Sequence, residues 1–534
     1  MKDIRTWILL CAVTLPLSMV CVTSADLPPG ETVSQWVWFD RTALAASACI
    51  LLAIAWGRKD RLPVPADVVQ GGLLVLGGVE AIWGLRQVFG FTMSGHSLYV
   101  LTGSFFNPGP YSGYLAMVLP VCLHGYLTAD TRWKRRISGG VGLLVLCVLP
   151  AGMSRSAWVA GAVACLWVWI ADGMVSGWLH AVYDWFRKSS RWKKLAAASM
   201  VFCVPILTAG LLFALKPDSA RGRLFLWRMS ARAATERPWT GHGSGNFAAA
   251  YGEAQETYFA TECYEPWEER VAGSPEYAFN EYLQVAVEYG WPALLALLAV
   301  TGFCLYRGIK LRHHGICGGI VALMVFAFSS YPTQIPALAI TGLVLLGASA
   351  IRGNKWEWII VALAAGLYGG IRLKHDLRME QACREWVHAR MLYQTGAYAV
   401  AEKDYRSLLP LLKGRGSFLF EYGHGLHKQG KYAEADSLLR QAALRSNDPM
   451  ILNILGKNAC LQGDYIQAER WLWKSVHRLP GRIYPYYLLA KLYALPEYRH
   501  PDKLERMKRV VLTKKPKVMS TAIRQMREEV EKLE

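Results

Sequence analysis

Arg221, Arg223, Arg228 and Arg232 stand within twelve residues that contain no acid. In helical register Arg221, Arg228 and Arg232 share a face, and Arg223 lies one turn before Trp227. A solvated face normally mixes both signs, whereas guanidinium forks suit phosphate oxygens. A further arginine, Arg155, sits alone in the joint Ser154-Arg155-Ser156 between two apolar runs. Snorkelling explains a lone boundary arginine; a phosphate contact is favoured here because the joint is too short to need a charge. Asn107-Pro108 marks a helix start, which caps a helix or receives an anion. Groups able to take a proton lie nearby in sequence: His242 within Gly241-His242-Gly243-Ser244-Gly245, and Glu281 beside Asn280 in Tyr277-Ala278-Phe279-Asn280-Glu281-Tyr282-Leu283-Gln284. The bland reading of Asn280 and Glu281 is an interfacial cap. The glycine string is a weak phosphate-loop signal, because no strand–helix context surrounds it. Taken together, these residue types fit the handling of a phosphorylated anion beside a carboxylate or imidazole.

These residues must be positioned by membrane helices. The 534-residue chain is 53% hydrophobic and only 19% charged, against about a quarter charged for soluble domains. A single soluble globule, a disordered chain and a disulfide-rich module are therefore excluded. Nine of the twelve cysteines lie in apolar runs, and Cys263, Cys383 and Cys460 show no metal-ligand spacing, so no metal site is expected. Eleven apolar stretches are long enough to span a bilayer: about 6–24, 36–56, 67–91, 110–128, 137–153, 156–176, 195–215, 289–306, 315–330, 335–351 and 356–373. The first begins after Lys2 and Arg5 but lacks a convincing cleavage site, so an uncleaved helix is expected.

Alternate connections, at 57–65, 129–136, 185–194, 306–314 and 351–355, are all basic, and the others are long or nearly uncharged. The positive-inside bias then sets the N-terminus inside and the C-terminus outside, with the 216–289 loop and everything after about 373 outside the cytoplasm. The net charge of +19 thus carries no implication of nucleic acid. Transporters and channels usually carry deep ionisable positions in several spans; here Glu80 and Arg86 are the clearest, and the polar, glycine-rich segments gather on the outer side.

The remaining stretch is basic, with 29 Lys/Arg against 18 Asp/Glu from Lys374 onward. Within it Gly396-x-Tyr398-x-x-Ala401 recurs as Gly430-x-Tyr432-x-x-Ala435 and Gly463-x-Tyr465-x-x-Ala468, at offsets of 34 and 33. A large residue follows each Ala by four (Tyr405, Leu439, Leu472), and Pro449 and Pro480 close two units. This closely resembles the tetratricopeptide pattern and predicts an α-solenoid. A degenerate fourth unit at 484–495 and a polar helix at 519–534 would cap it. The expected architecture is all-α: a polytopic membrane bundle of about 11 spans over 1–373, with a large loop at 216–289, followed by an extracytoplasmic repeat domain at 374–534. The repeats serve either as a scaffold or as a groove for a protein partner or an acceptor.

The set Gly103-x-x-x-Asn107-Pro108, Ser154-Arg155, Arg223-x-x-x-Trp227, Pro238-x-x-Gly241-x-Gly243-x-x-Asn246-Phe247 and Asn280-Glu281-Tyr282-Leu283-Gln284 before Glu288-x-Gly290 resembles, in order and spacing, the O-antigen ligase and polymerase superfamily. The resemblance covers about residues 70–350, and several members are similar in carrying a tetratricopeptide tail. It implies an integral, metal-independent glycosyltransferase of the bacterial inner membrane that needs no cofactor. The implied donor is a glycan on polyprenyl (undecaprenyl) diphosphate, held among membrane lipids. The implied acceptor is a hydroxyl on lipid A–core or a protein, glycosylated with inversion. Arg155, Arg221, Arg223 and Asn107 would meet the diphosphate, and Asn280, Glu281 and His242 would form the catalytic group. Members commonly place His directly before the Asn of the last motif, where this chain has Phe279. Either Glu281, Glu276 or His242 supplies the base, with Glu281 first, or leaving-group stabilisation carries the reaction. A polymerase joining two lipid-linked glycans and a non-catalytic exporter are the alternatives.

Overall fold

The computed structural model of the chain describes residues 2–24, 26–56, 62–173, 190, 192 and 217–533. Among the described residues the architecture is all-helical, 77% helix with no strand. Six helices are long and apolar enough to cross a membrane, and three shorter apolar ones accompany them. Ten of the eleven expected spans fall on helices. The seventh, at about 195–215, lies outside the described residues, as do the basic joint at 57–61 and most of that at 185–194.

The described residues divide into two compact units. The first takes the residues up to 192 together with Phe279–Glu281 and Leu295–Arg384; the second takes the long loop, Tyr282–Leu294 and everything from Glu385. In the first unit run α1 (Lys2–Leu17), α2 (Val33–Ala55), α3 (Pro65–Val88), α4 (Pro108–Thr128), α5 (Arg132–Val148) and α6 (Arg155–Ala171). Proline at the first helical position starts α3 and α4, where its missing N–H costs nothing. The helix α4 is buried along almost its whole length, because glycines on it and on its neighbours permit close approach. A Cβ on Gly77 of α3 would lie 2.5 Å from Val118, and one on Gly113 of α4 would lie 2.4 Å from Phe326.

The long loop holds α7 (Pro217–Glu236), α8 (Phe247–Ala260) and α9 (Pro266–Val271). Then follow α10 (Glu281–Lys310), α11 (His314–Ala327), α12 (Pro336–Ala350) and α13 (Lys355–Gln394). The expected domain edge near 373 falls inside α13, a single 40-residue helix, and residues to Arg384 group with the first unit. From there the second unit continues as α14 (Tyr398–Leu412), α15 (Gly416–Lys428), α16 (Tyr432–Ala443), α17 (Pro449–Leu461), α18 (Tyr465–Arg478), α19 (Tyr484–Tyr493), α20 (Pro501–Thr513) and α21 (Thr521–Glu531).

The periodic residues explain these hairpins. Gly396, Gly430 and Gly463 adopt φ of +83°, +77° and +80°, the left-handed conformation that ends one helix and starts the next. In the second and third units the large residue four after the Ala seats against a glycine of the preceding helix. A Cβ on Gly423 would meet Leu439 at 2.8 Å, and one on Gly456 would meet Leu472 at 2.8 Å. The long loop packs against these hairpins within the same unit. Arg478, buried in α18, pairs with Glu256 of α8 at 2.8 Å, and Asn447 donates to the Pro275 carbonyl at 2.8 Å.

Candidate active site

In the first unit the segment before α4 is pinned from below. Gln87 accepts from the amides of Thr102 and Gly103 at 2.9 and 2.7 Å and donates to the Gly103 carbonyl at 3.0 Å. The fully buried Glu80 accepts from the Ser104 amide at 3.2 Å. Gly103 is required here: its φ is +57°, and a Cβ would strike the Tyr111 ring at 2.2 Å. Nothing local in the sequence distinguishes Gln87 from any other helix glutamine. Asn107 is the N-cap of α4, its side-chain oxygen accepting from the Gly109 amide at 2.9 Å.

Arg155 is the first residue of α6. The turn before it places Met153 in the left-handed region at φ +47°, and Trp158 fixes the turn by donating to the Leu149 carbonyl at 2.9 Å. Below this turn lies an apolar groove of about 680 Å³ between α4, α5 and α6, lined by Leu119, Cys122, Leu143, Leu146, Trp158 and Gly161 among others.

Asn280 and Glu281 are both buried. The Glu281 carboxylate accepts from the Thr333 amide at 3.2 Å, from the Thr333 hydroxyl, and from the Gln334 side chain at 3.2 Å. It therefore anchors the short turn 332–334 that precedes α12. Phe279 holds φ +47°, a costly conformation for an aromatic residue, and its ring meets Tyr331 edge-on at 5.0 Å. Tyr331 and Thr333 lie about fifty residues away from this motif in sequence, so no local signal pointed to them.

In the second unit α7 divides its arginines. Arg228 donates to the Tyr258 hydroxyl at 3.0 Å and pairs with the buried Glu268, and Arg232 lies over the Tyr258 ring at 4.6 Å. Burial alone would raise the Glu268 carboxyl, but hydrogen bonds from Tyr258, the Glu265 amide and Arg228 hold it below the usual glutamate range. These two arginines belong to the packing of α7 against α8 and α9. Arg221 is exposed and Arg223 is half-buried on the same helix.

The 238–245 loop closes on a break in α10. Gly290 departs from helical geometry at φ +83°, and Pro292 has no N–H to offer. The carbonyls this frees are taken by the loop: His242 N–H donates to Val287 at 2.8 Å and Gly243 N–H to Glu288 at 2.9 Å. In return Trp291 N–H donates to the Pro238 carbonyl at 2.8 Å. The amides of Gly241, His242 and Gly243 are thus engaged with backbone carbonyls rather than held open for a phosphate. A Cβ on Gly241 would lie 2.4 Å from the Glu288 carbonyl group, so the spacing Pro238-x-x-Gly241-x-Gly243 is a docking motif for the kink.

The His242 imidazole is nearly buried, with Nε2 at 2.9 Å from the Ala233 carbonyl and 4.0 Å from Glu236. That contact assigns the proton to Nε2 in the neutral ring and leaves Nδ1 basic. Burial pushes the Glu236 carboxyl up, with Glu253 adding and His242 and Arg237 opposing.

Asn107, Arg155, Asn280 and Glu281 thus belong to the first unit, and Arg221, Arg223 and His242 to the second. Among the described residues no His/Cys/Asp/Glu group has the arrangement of a metal site.

No curated protein was found to match the chain. The O-antigen ligase family model matches residues 140–298, a stretch that includes Arg155, the arginines of α7, the 238–245 loop and the Asn280-Glu281 pair. By that match, residues 140–298 of this polytopic helical chain are similar to the O-antigen ligase family.

Proposed function

We propose that the chain transfers a glycan from polyprenyl (undecaprenyl) diphosphate to an acceptor hydroxyl at the outer face of the bacterial inner membrane, in the manner of a ligase. The carrying observation is the O-antigen ligase match over the residues that hold Arg155, Arg223 and Glu281. The N-terminus lies inside and the helices after Arg384 outside, as the basic alternate loops require. Those helices are read as tetratricopeptide repeats, supported by the left-handed glycines and the Gly423–Leu439 and Gly456–Leu472 contacts.

In the reaction the acceptor oxygen attacks the anomeric carbon from the face opposite the diphosphate. The new C–O bond forms as the bond to the diphosphate oxygen breaks, inverting the centre. The proton leaves the acceptor to Glu281 or to Nδ1 of His242, and Asn280 orients the acceptor. A general base of this kind contributes roughly 10²–10⁴-fold. Arg155, Arg221 and Arg223, with the N-terminus of α4 behind Asn107, stabilise the diphosphate as its charge develops, so the reaction proceeds without a metal. The groove beside Trp158, predominantly apolar and of ligand-binding size, takes the first isoprene units of the donor.

Deleting the gene tests the reading. A ligase mutant accumulates long lipid-linked glycans. A polymerase mutant accumulates single lipid-linked repeats, and an exporter mutant traps glycan inside the cell; either of these overturns the ligase reading.

A further inference from the structure

The first helices of successive hairpins in the second unit neighbour one another: α15 touches α17, and α17 touches α19. On this face the sequence period places one basic residue at the same position of each helix: Arg390, His424, Lys457 and Lys491, at offsets of 34, 33 and 34. The first three stand six residues before the turn glycines Gly396, Gly430 and Gly463.

His424, Lys457 and Lys491 are close enough to influence one another in turn along this row. Burial, then Lys428 and Lys491, depress the Lys457 ammonium below the ordinary lysine range. Burial, then Lys428, His427 and Lys457, push the His424 imidazole down to about 4. Among the described residues no carboxylate forms an ion pair with Lys457 or Lys428. The nearby acids are already engaged. Glu421 pairs with Arg390 at 3.0 Å and also accepts from Trp386 and Tyr405, while Glu529 accepts from Tyr487 and lies 3.8 Å from Lys491.

One turn earlier on the same helices a second row backs the first. The Phe420 ring stacks on His424 at 5.8 Å, and Lys491 lies over the Tyr487 ring at 5.4 Å. Between them Asn453 is 3% exposed, and its side-chain oxygen has no donor. The neighbouring Lys457 and Lys428 ammoniums, without a carboxylate partner, and an orphaned buried acceptor both destabilise the free protein. A ligand bringing anions and hydroxyl donors would satisfy both.

We propose that this face binds an extended acidic glycan, whose carboxylates meet the Lys428–Lys457–Lys491 ladder beside the His424 imidazole and whose hydroxyls satisfy Asn453. Packed helices lie about 8–10 Å apart, so Lys457 and Lys491, at equivalent positions of neighbouring helices, stand at the spacing of acid groups on alternate sugars of an extended chain. An acidic peptide would instead seek apolar pockets between its charges; this row offers an amide, a tyrosine hydroxyl and ring faces. The choice of a saccharide over a peptide rests on the glycan-transfer reading, whereas the ladder itself does not.

The test is direct binding to the full-length protein in lipid nanodiscs, which requires no transfer. Oligogalacturonate is the probe, a malto-oligosaccharide the neutral control and poly-glutamate the peptide competitor. Oligogalacturonate is expected to bind, to weaken with salt, and to lose about tenfold or more with Lys457→Gln or the exposed Lys491→Gln. The Lys457→Gln protein is expected to melt no lower than wild type, since the change relieves repulsion. Absence of oligogalacturonate binding, equal binding of the neutral sugar, tighter binding of poly-glutamate, or unchanged affinity in both variants would overturn the proposal. Binding without any glycan transfer would leave the ladder standing and count only against the ligase reading.

Discussion

The Gly243 amide donates at 2.9 Å to the Glu288 carbonyl, the one that Pro292, four residues on, has no N–H to bond. A helix broken by Gly290 and Pro292 would leave several backbone groups unsatisfied, and the 238–245 loop supplies their partners. Two motifs more than forty residues apart are therefore halves of one device.

This pairing predicts the cost of a single methyl group. Gly290→Ala places a Cβ 2.6 Å from the Trp239 carbonyl at φ +83°, and Gly241→Ala places one 2.4 Å from Glu288. Each is expected to destabilise by roughly 2–5 kcal/mol, read as a lowered thermal midpoint in detergent. Gly302→Ala, where a Cβ meets open space, is the control and is expected to leave the midpoint unchanged or slightly raised.

The Arg228–Glu268 pair predicts a dependence on acid. Glu268 is held below the usual glutamate range in the folded chain, so as pH falls the unfolded state takes up its proton first. The stability it contributes is therefore complete above the ordinary glutamate pKa and is lost as pH drops below it. Arg228→Ala is expected to cost roughly 1–3 kcal/mol at neutral pH and to flatten the acid side of the stability profile. An unchanged profile would show that the pair does not hold the carboxylate.

How much of this was legible in the sequence depended on range. The spans follow from apolar length, and the repeat hairpins from a period that recurs in the glycines and alanines, so both lie on the surface of the sequence. The roles of the arginines did not. Arg228 and Arg232 share a face with Arg221, but Tyr258 and Glu268, which engage them, sit on separate helices some thirty to forty residues later. The glycine string resembled a phosphate loop because its partner, the break at Gly290, is a long-range contact. Nothing near Glu281 announced Thr333 and Gln334, since only folding brings the 332–334 turn to it.

Phe279 offers a test of the proton acceptor. Its backbone already adopts φ +47°, a region histidine tolerates better than phenylalanine. Glu281→Gln is expected to slow transfer by roughly 10²–10⁴-fold, and Phe279→His is expected to preserve the fold. In the Glu281→Gln background, Phe279→His is expected to restore part of the lost rate by supplying an imidazole. Wild-type transfer by Glu281→Gln and by His242→Ala alike would remove both residues from the role of base.

Stabilisation of the departing diphosphate by arginines carries the proposed reaction. It is tested most directly by transfer from a polyprenyl-diphosphate glycan to candidate acceptors by the purified protein in lipid vesicles with EDTA present. The wild type is expected to transfer, and Arg155→Ala and Arg223→Ala are each expected to lose on the order of 10²–10³-fold while remaining folded and inserted. Undiminished transfer by both variants, or a wild type active only with added divalent cation, would contradict it.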